Sequence, residues 1–371
     1  MAAPPTAFGR FTDQLFSRIP RADQRRWAEV YVQGLLTTPG KKTVRRMAAA
    51  VTDSDSAAQA LHQFINASPW EWEPIQTALM RWVERQTWPQ SWTIAPVVIP
   101  KRGGQSCGVH RRFIPQTGRT VNCQIGIGSF LSSETEDLPV AWSMLLPEEW
   151  SDSALRRRAR IPGDPTTPTE AVMELINGLS PRRSHRPMPV VTDLVGYVDT
   201  CALIHGLVER AHDFVIAVPD NLLLQPGSHL AARQCAEGTP IRAAQFLAER
   251  TGPAQHATGL VYLPRTQTRP GLQRTYRLFE RRADKGRPGG LWLTNMTNRP
   301  FDELLTLVDG LATTHATIGR LERDFGLRDF EGRSYPGWHH HMTLASAAYT
   351  YDRLATHRAQ ELDRPYLRIA A

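Results

Sequence analysis

The sequence predicts an α/β chain: a mixed sheet core with an inserted β-rich region, preceded by a helical N-terminal domain. Three observations predict it. The residues before Trp92 carry helical spacing, those from Trp92 to Leu146 alternate β-rich runs with turns, and from Pro187 to Val218 a strand, a helix and a strand follow in order. A strand–helix–strand unit brings the chain back in the same direction, so its strands pair in parallel.

Asp23 is placed to cap a helix in which Trp27, Val30, Tyr31, Gly34 and Leu35 fall on one stripe. Pro39-Gly40 stops it, and Val44, Met47 and Val51 predict a second helix. A third runs from Ala57 to Ile65. Ser68-Pro69-Trp70 predicts the start of a fourth, with proline at its first position and Ile75, Leu79, Trp82 and Val83 inward.

Strands are expected at Trp92 to Ile99, interrupted by Pro96, then at Cys107 to Ile114, Thr120 to Leu131 and Pro139 to Leu146. Turn residues between them make this an antiparallel meander. Arg156, Arg157, Arg158 and Arg160 follow in a helix or loop. Thr169 to Leu179 has helical spacing. Pro187 to Thr192 is a strand ending at Asp193, Cys201 to Arg210 a helix, and Phe214 to Val218 a strand. Gln225 to Gly290 alternates loops with short strands at Thr258 to Tyr262 and Thr275 to Phe279. Leu291 to Thr294 is a strand, and Phe301 to Phe325 and Met342 to Thr356 are helical. These elements divide the chain into a helical part over 1–90, a core over 91–219, an insertion over 220–300 and a closing part over 301–371.

Composition narrows the function. Lys+Arg 44 against Asp+Glu 36 gives a net charge of +8 over 371 residues, with 41% hydrophobic and 22% charged residues. That is globular material with a leaning toward polyanion partners. The four cysteines (Cys107, Cys123, Cys201, Cys235) form no C-x-x-C pair, which points away from structural zinc and toward reduced thiols. Neither a signal peptide nor a long apolar run is read, so a cytoplasmic protein without a membrane partner is expected. Walker, G-x-G-x-x-G and G-x-S-x-G patterns are missing, and no small-molecule cofactor is expected.

A meander followed by strand–helix–strand, with an acid ending a parallel strand, is the outline of a ribonuclease-H-like core. In that fold carboxylates from separate elements hold two metal ions roughly 4 Å apart, which activate the attacking oxygen and stabilise the leaving one. Asp193 stands where one such acid belongs; the plain alternative is a strand-end Asp capping its turn. His339-His340-His341 invites a metal reading, but consecutive residues point in different directions.

The chain resembles the DDE-type transposases of bacterial insertion sequences, in the group numbered seven hundred and one. The resemblance rests on Tyr31-Val-Gln-Gly-Leu-Leu36, Ser68-Pro-Trp70, Pro100-Lys-Arg-Gly103 with Ser106-Cys-Gly-Val109, Gly118 followed by Asn122-Cys-Gln124, and Leu146-Pro-Glu-Glu-Trp150. It continues through Val190-Val-Thr-Asp193, Phe214-Val-Ile-Ala-Val-Pro219, Gly326-Leu327, Phe330-Glu-Gly-Arg333 and Gly337-Trp-His-His-His341. It implies a ribonuclease-H-like core, metal-dependent DNA cutting and joining, DNA as partner, and room for a homodimer. The expected location is the bacterial cytoplasm, at the nucleoid when bound to DNA.

The resemblance also marks departures. Where such proteins read like W-x-I-D-D-T-G-F-P-K-K-G, this chain has Trp92-Thr-Ile-Ala-Pro-Val-Val-Ile-Pro-Lys-Arg-Gly103, so Ala95 and Pro96 replace the acids. No Asp or Glu occurs from Arg85 to Ser133. Counting back from Gly326-Leu327 puts His315 at the third acid, Leu311 at its arginine and Glu322 at its lysine. Asp193 is the acid retained, as catalytic residue and as metal ligand. Asp199, Glu322, Asp324 or Glu331 are the candidates for a rebuilt site. Mg²⁺ or Mn²⁺ is expected only with retained activity. Lys101, Arg102, Arg111, Arg112, Arg156, Arg157 and Arg158 are the expected DNA contacts, with Arg182, Arg183 and Arg186 adding cationic loops. Three readings stay open: a DNA-binding relative with lost or weak chemistry, an active transposase with a rearranged acid set, and a scaffold or regulatory protein without catalysis.

Overall fold

The computed structural model describes residues 6–114, 118–179, 188–227, 239–249, 257–264, 274–284 and 289–362, with side chains as far as 355. Arg182, Arg183, Arg186 and Cys235 lie outside the described residues.

The chain opens with α1 (Ala7–Phe16), α2 (Ala22–Thr37), α3 (Val44–Val51), α4 (Ala57–Asn66) and α5 (Glu73–Glu84). Thr6 caps α1 through its hydroxyl, which accepts from the Gly9 amide at 3.0 Å, and Thr43 caps α3 in the same way. The fourth expected helix begins later than the proline suggested. Ser68–Trp70 is a loop, and α5 starts at Glu73 with Pro74 in its first turn. Trp70 is instead a packing residue, stacked on Phe64 and on His340.

The meander follows as β1 (Ser91–Pro100), β2 (His110–Ile114), β3 (Arg119–Ser132) and β4 (Asp137–Leu145). Pro96 does not interrupt β1, because β5 runs beside β1 only from Trp92 to Ile94 and leaves the strand beyond without that neighbour. Cys107 lies in the turn before β2 rather than in a strand. Next come α6 (Ser153–Ala159), α7 (Pro168–Asn177, opened by a Thr167–Glu170 capping box), β5 (Val190–Thr192), α8 (Thr200–Glu209) and β6 (Phe214–Val218). Beyond β6 stand β7 (Leu223–Pro226), β8 (Ile241–Arg242), α9 (Ala243–Ala248), β9 (Thr258–Tyr262), β10 (Tyr276–Arg281) and β11 (Gly290–Thr294). The long helices α10 (Phe301–Asp324) and α11 (Tyr335–Leu362) close the chain. Among the described residues no helix is long and apolar enough to cross a membrane.

The sheet order is β2-β3-β1-β5-β6-β11-β10-β9-β7-β8, with β4 also on β3. The β1–β3 and β3–β4 pairs are antiparallel, while β1–β5 and β5–β6 are parallel. That mixed order fits a ribonuclease-H-like fold. The inserted strands do not form a sheet of their own: β11 pairs antiparallel with β6 and carries the same sheet onward.

Two helices cover one sheet face. The apolar stripe of α10 (Leu304, Val308, Leu311) packs on Val191, Val215, Phe279 and Trp292. From α11, Trp338 presses on Gly126, where a Cβ would come within 3.0 Å of the indole, and Ser346 accepts from Trp142 Nε1 at 2.7 Å. The core is continuous across the 90/91 boundary, since α2 and α5 dock on α11 through the Tyr31–His341 bond at 2.9 Å and the Gln76–Thr343 bond at 3.0 Å.

Candidate active site and nucleic-acid interface

Asp193 follows the last residue of β5, and strand pairing fixes what stands beside it. Trp92, Thr93 and Ile94 are matched with Val190, Val191 and Thr192. One residue further along both strands come Ala95 and Asp193. Alternation puts Asp193 on the face of Val191, and Ala95 on the face of Thr93, the Val191 partner. On α10, His315 lies one turn beyond Leu311, which packs with Val191. The strand step from Val191 to Asp193 and the helical step from Leu311 to His315 therefore converge.

Electrostatics agree with that placement. Burial raises the Asp193 carboxyl and His315 lowers it, while burial lowers the His315 imidazole and Asp193 raises it. Both residues keep solvent-exposed surface. Asp193 Oδ1 also accepts from the Val195 amide at 3.3 Å, as a strand-end Asp commonly does. Ala95 is buried.

The other acids are engaged elsewhere. Asp199 caps α8 by accepting from the Ala202 amide at 2.7 Å. Glu322 pairs with Arg328 at 2.5 Å, and Glu331 with Lys41 at 2.6 Å. Asp324 acts on Lys42, whose amide bonds Asp329. Among the described residues no group of three or more His, Cys, Asp and Glu is arranged to hold a metal ion. Magnesium pairs are held by several carboxylate oxygens with water and phosphate. One carboxylate and one imidazole do not fit that requirement.

The histidine run is a structural clasp. His340 places Nδ1 2.9 Å from the Ile65 carbonyl and Nε2 2.9 Å from that of Trp70. His341 bonds the Gly326 carbonyl at 3.0 Å through Nε2, so its Nδ1 accepts from the Tyr31 hydroxyl. His339 stacks on Trp72, and neither of its ring nitrogens has a hydrogen-bond partner. Burial drives their pKa values down to about 3, 4 and 4 for His339, His340 and His341.

The seven expected DNA contacts divide by what they bond. Lys101 gives its ammonium to the Phe330 carbonyl at 2.6 Å, and burial pushes its pKa down to about 8. Arg156 is buried and donates to the Pro162 and Gly163 carbonyls at 2.9 and 2.8 Å. Arg112 lies over the Tyr197 ring, 4.5 Å from its centroid, and donates to the Gly196 carbonyl. These three side chains serve the fold, whereas Arg102, Arg111, Arg157 and Arg158 are exposed. Tyr197 and Gly196 escaped sequence reading. Their contact with Arg112 joins residues far apart in the chain and leaves no local signature.

A model of the DDE superfamily endonuclease family matches residues 14–274. The chain belongs to the DDE superfamily of endonucleases. The match takes in β1, β5 and Asp193 and stops before α10, so His315 lies beyond it. No curated protein matches the chain. Membership of the DDE superfamily suggests DNA as substrate and a transposase-like, DNA-processing role.

Proposed function

We propose that this DDE protein is a DNA-binding relative of the insertion-sequence transposases, in the group numbered seven hundred and one, whose strand-transfer chemistry is lost or weak. The observation that carries this is the neighbourhood of Asp193. The residue beside it on β1 is Ala95, and the side chain opposite it on α10 is His315. A neutral methyl and an imidazole supply too little negative charge for a pair of Mg²⁺ ions. The exposed arginines supply a phosphate-binding surface, and such contacts give affinity with steep salt dependence.

Two measurements test the reading. Gel shifts on duplex DNA at rising salt should show a complex that weakens steeply. Incubation of the same protein with supercoiled plasmid or element ends, in Mg²⁺ or Mn²⁺, should give no nicking or strand transfer above background. Cleavage abolished by Asp193→Ala would instead establish an active enzyme with a rearranged site. Absence of a DNA complex at low ionic strength would leave a scaffold or regulatory protein.

A further inference from the structure

Few large apolar side chains are exposed among the described residues: Trp88, Phe113, Val195 and Leu223. Val195 belongs to the turn that follows Asp193. Phe113, 58% exposed, sits on β2, and the neighbouring Arg112 ties that strand to the same turn through Gly196 and Tyr197.

The surroundings of Phe113 are cationic. In the β2–β3 ribbon Phe113 pairs with Thr120 and Arg111 with Asn122, so Phe113 and Arg111 share one face. Asn122 also donates to the carbonyls of Lys101 and Gly103 at 3.1 and 2.8 Å. Arg102, between those two residues, is thereby held against Asn122, the residue that Arg111 pairs with from the other side. β2 thus presents an exposed aromatic ring and the Arg111 guanidinium on one face, with the exposed Arg102 on the turn that follows β1. No Asp or Glu interrupts this region, from Arg85 to Ser133.

We propose that Phe113 is a wedge for duplex DNA. It enters between base pairs while Arg102 and Arg111 hold neighbouring phosphates, and it opens the stack at that step. The inference rests on the DNA-binding reading above and deepens it. Charge complementarity selects the occupant: exposed arginines accompany the ring in a stretch without a single acid, and the polyanion that the DDE family points to is DNA. Apolar wedges of this kind unstack a base step at a cost recovered from the wider contact that bent DNA allows. Two-stranded ribbons are of a size to enter a groove.

The experiment compares a short intact duplex with the same duplex carrying a mismatched bubble at its centre. Unstacking is already done in the bubble, so the full-length protein should bind it about tenfold tighter or more. Phe113→Ala should bind both duplexes alike with an unchanged salt dependence, and Phe113→Trp should keep the preference. Phe113 is exposed, so both variants should fold, as checked by circular dichroism. Enhanced fluorescence of 2-aminopurine on binding, lost in Phe113→Ala, reports the unstacking directly. Equal binding of both duplexes by the natural protein, or a preference that survives Phe113→Ala, overturns the wedge while leaving DNA binding intact. Absence of any complex at low salt overturns the wedge and the DNA-binding reading together.

Discussion

Thr192 donates its hydroxyl to the Ile94 carbonyl at 2.7 Å, locking β5 to β1 one residue before Asp193 and Ala95 stand side by side. A carboxylate at position 95 would therefore meet one at 193. In Ala95→Asp the new acid is buried next to a like charge. The metal-free protein should lose about 2–4 kcal/mol by urea denaturation. In Ala95→Asp/His315→Glu, Mn²⁺ should relieve the repulsion and raise the melting temperature, with no such rise in the natural protein. A double variant whose melting is indifferent to Mn²⁺ contradicts this arrangement of the face.

Asp193 raises the pKa of His315 against the lowering effect of burial. Removing that charge in Asp193→Asn should move the His315 titration further down. The shift is read from the imidazole ¹H–¹³C resonances of His315 over a pH series. An unmoved titration would mean that the two groups are not neighbours.

The clasp of His339, His340 and His341 makes a statement about acid. All three stay neutral in the fold, down to about 3, 4 and 4, against 6.5 when free. Below pH 6.5 the unfolded chain takes up protons that the fold refuses. The stability they contribute is thus complete above that pH and drains away as pH falls toward 4. The slope is up to about 1.4 kcal/mol per pH unit for each histidine. Urea midpoints measured at neutral pH and near pH 5 should differ sharply. His339→Leu, which removes two unpartnered nitrogens, should reduce the difference.

Arg156 and Arg157 are neighbours with opposite fates. Arg156→Met removes the two hydrogen bonds that this buried side chain gives to the Pro162 and Gly163 carbonyls, so it should cost about 1–3 kcal/mol and leave DNA affinity unchanged. Arg157→Ala touches only the surface. It should leave stability within about 0.5 kcal/mol and weaken binding across all sequences, lowering the salt slope by about one. Equal losses of affinity in the two variants would contradict the division.

Periodicity reveals most of the elements because each buries a continuous stripe. Tyr31 and Leu35 of α2, Met47 of α3 and Ile75, Leu79 and Val83 of α5 are buried where spacing puts them. The start of α5 was misread because Pro69 is a helix-opening residue whose neighbour Trp70 is held elsewhere, between Phe64 and His340. The joining of the inserted strands to β6 is a long-range pairing, invisible to local pattern. In the candidate site, Asp193 was legible from its place at a strand end. Which cations are exposed was not, since Lys101 reaches a carbonyl at Phe330 and Arg112 reaches the turn at Gly196.

The pairing of β11 with β6 gives the insertion a second duty. Cutting out 220–300 would bare the backbone amides and carbonyls of Phe214–Val218 along an apolar border, and such a border invites other chains to pair with it. A trimmed protein should clump during expression even though Asp193 and its neighbours are untouched. The strands after β6 are here a bookend that keeps molecules apart.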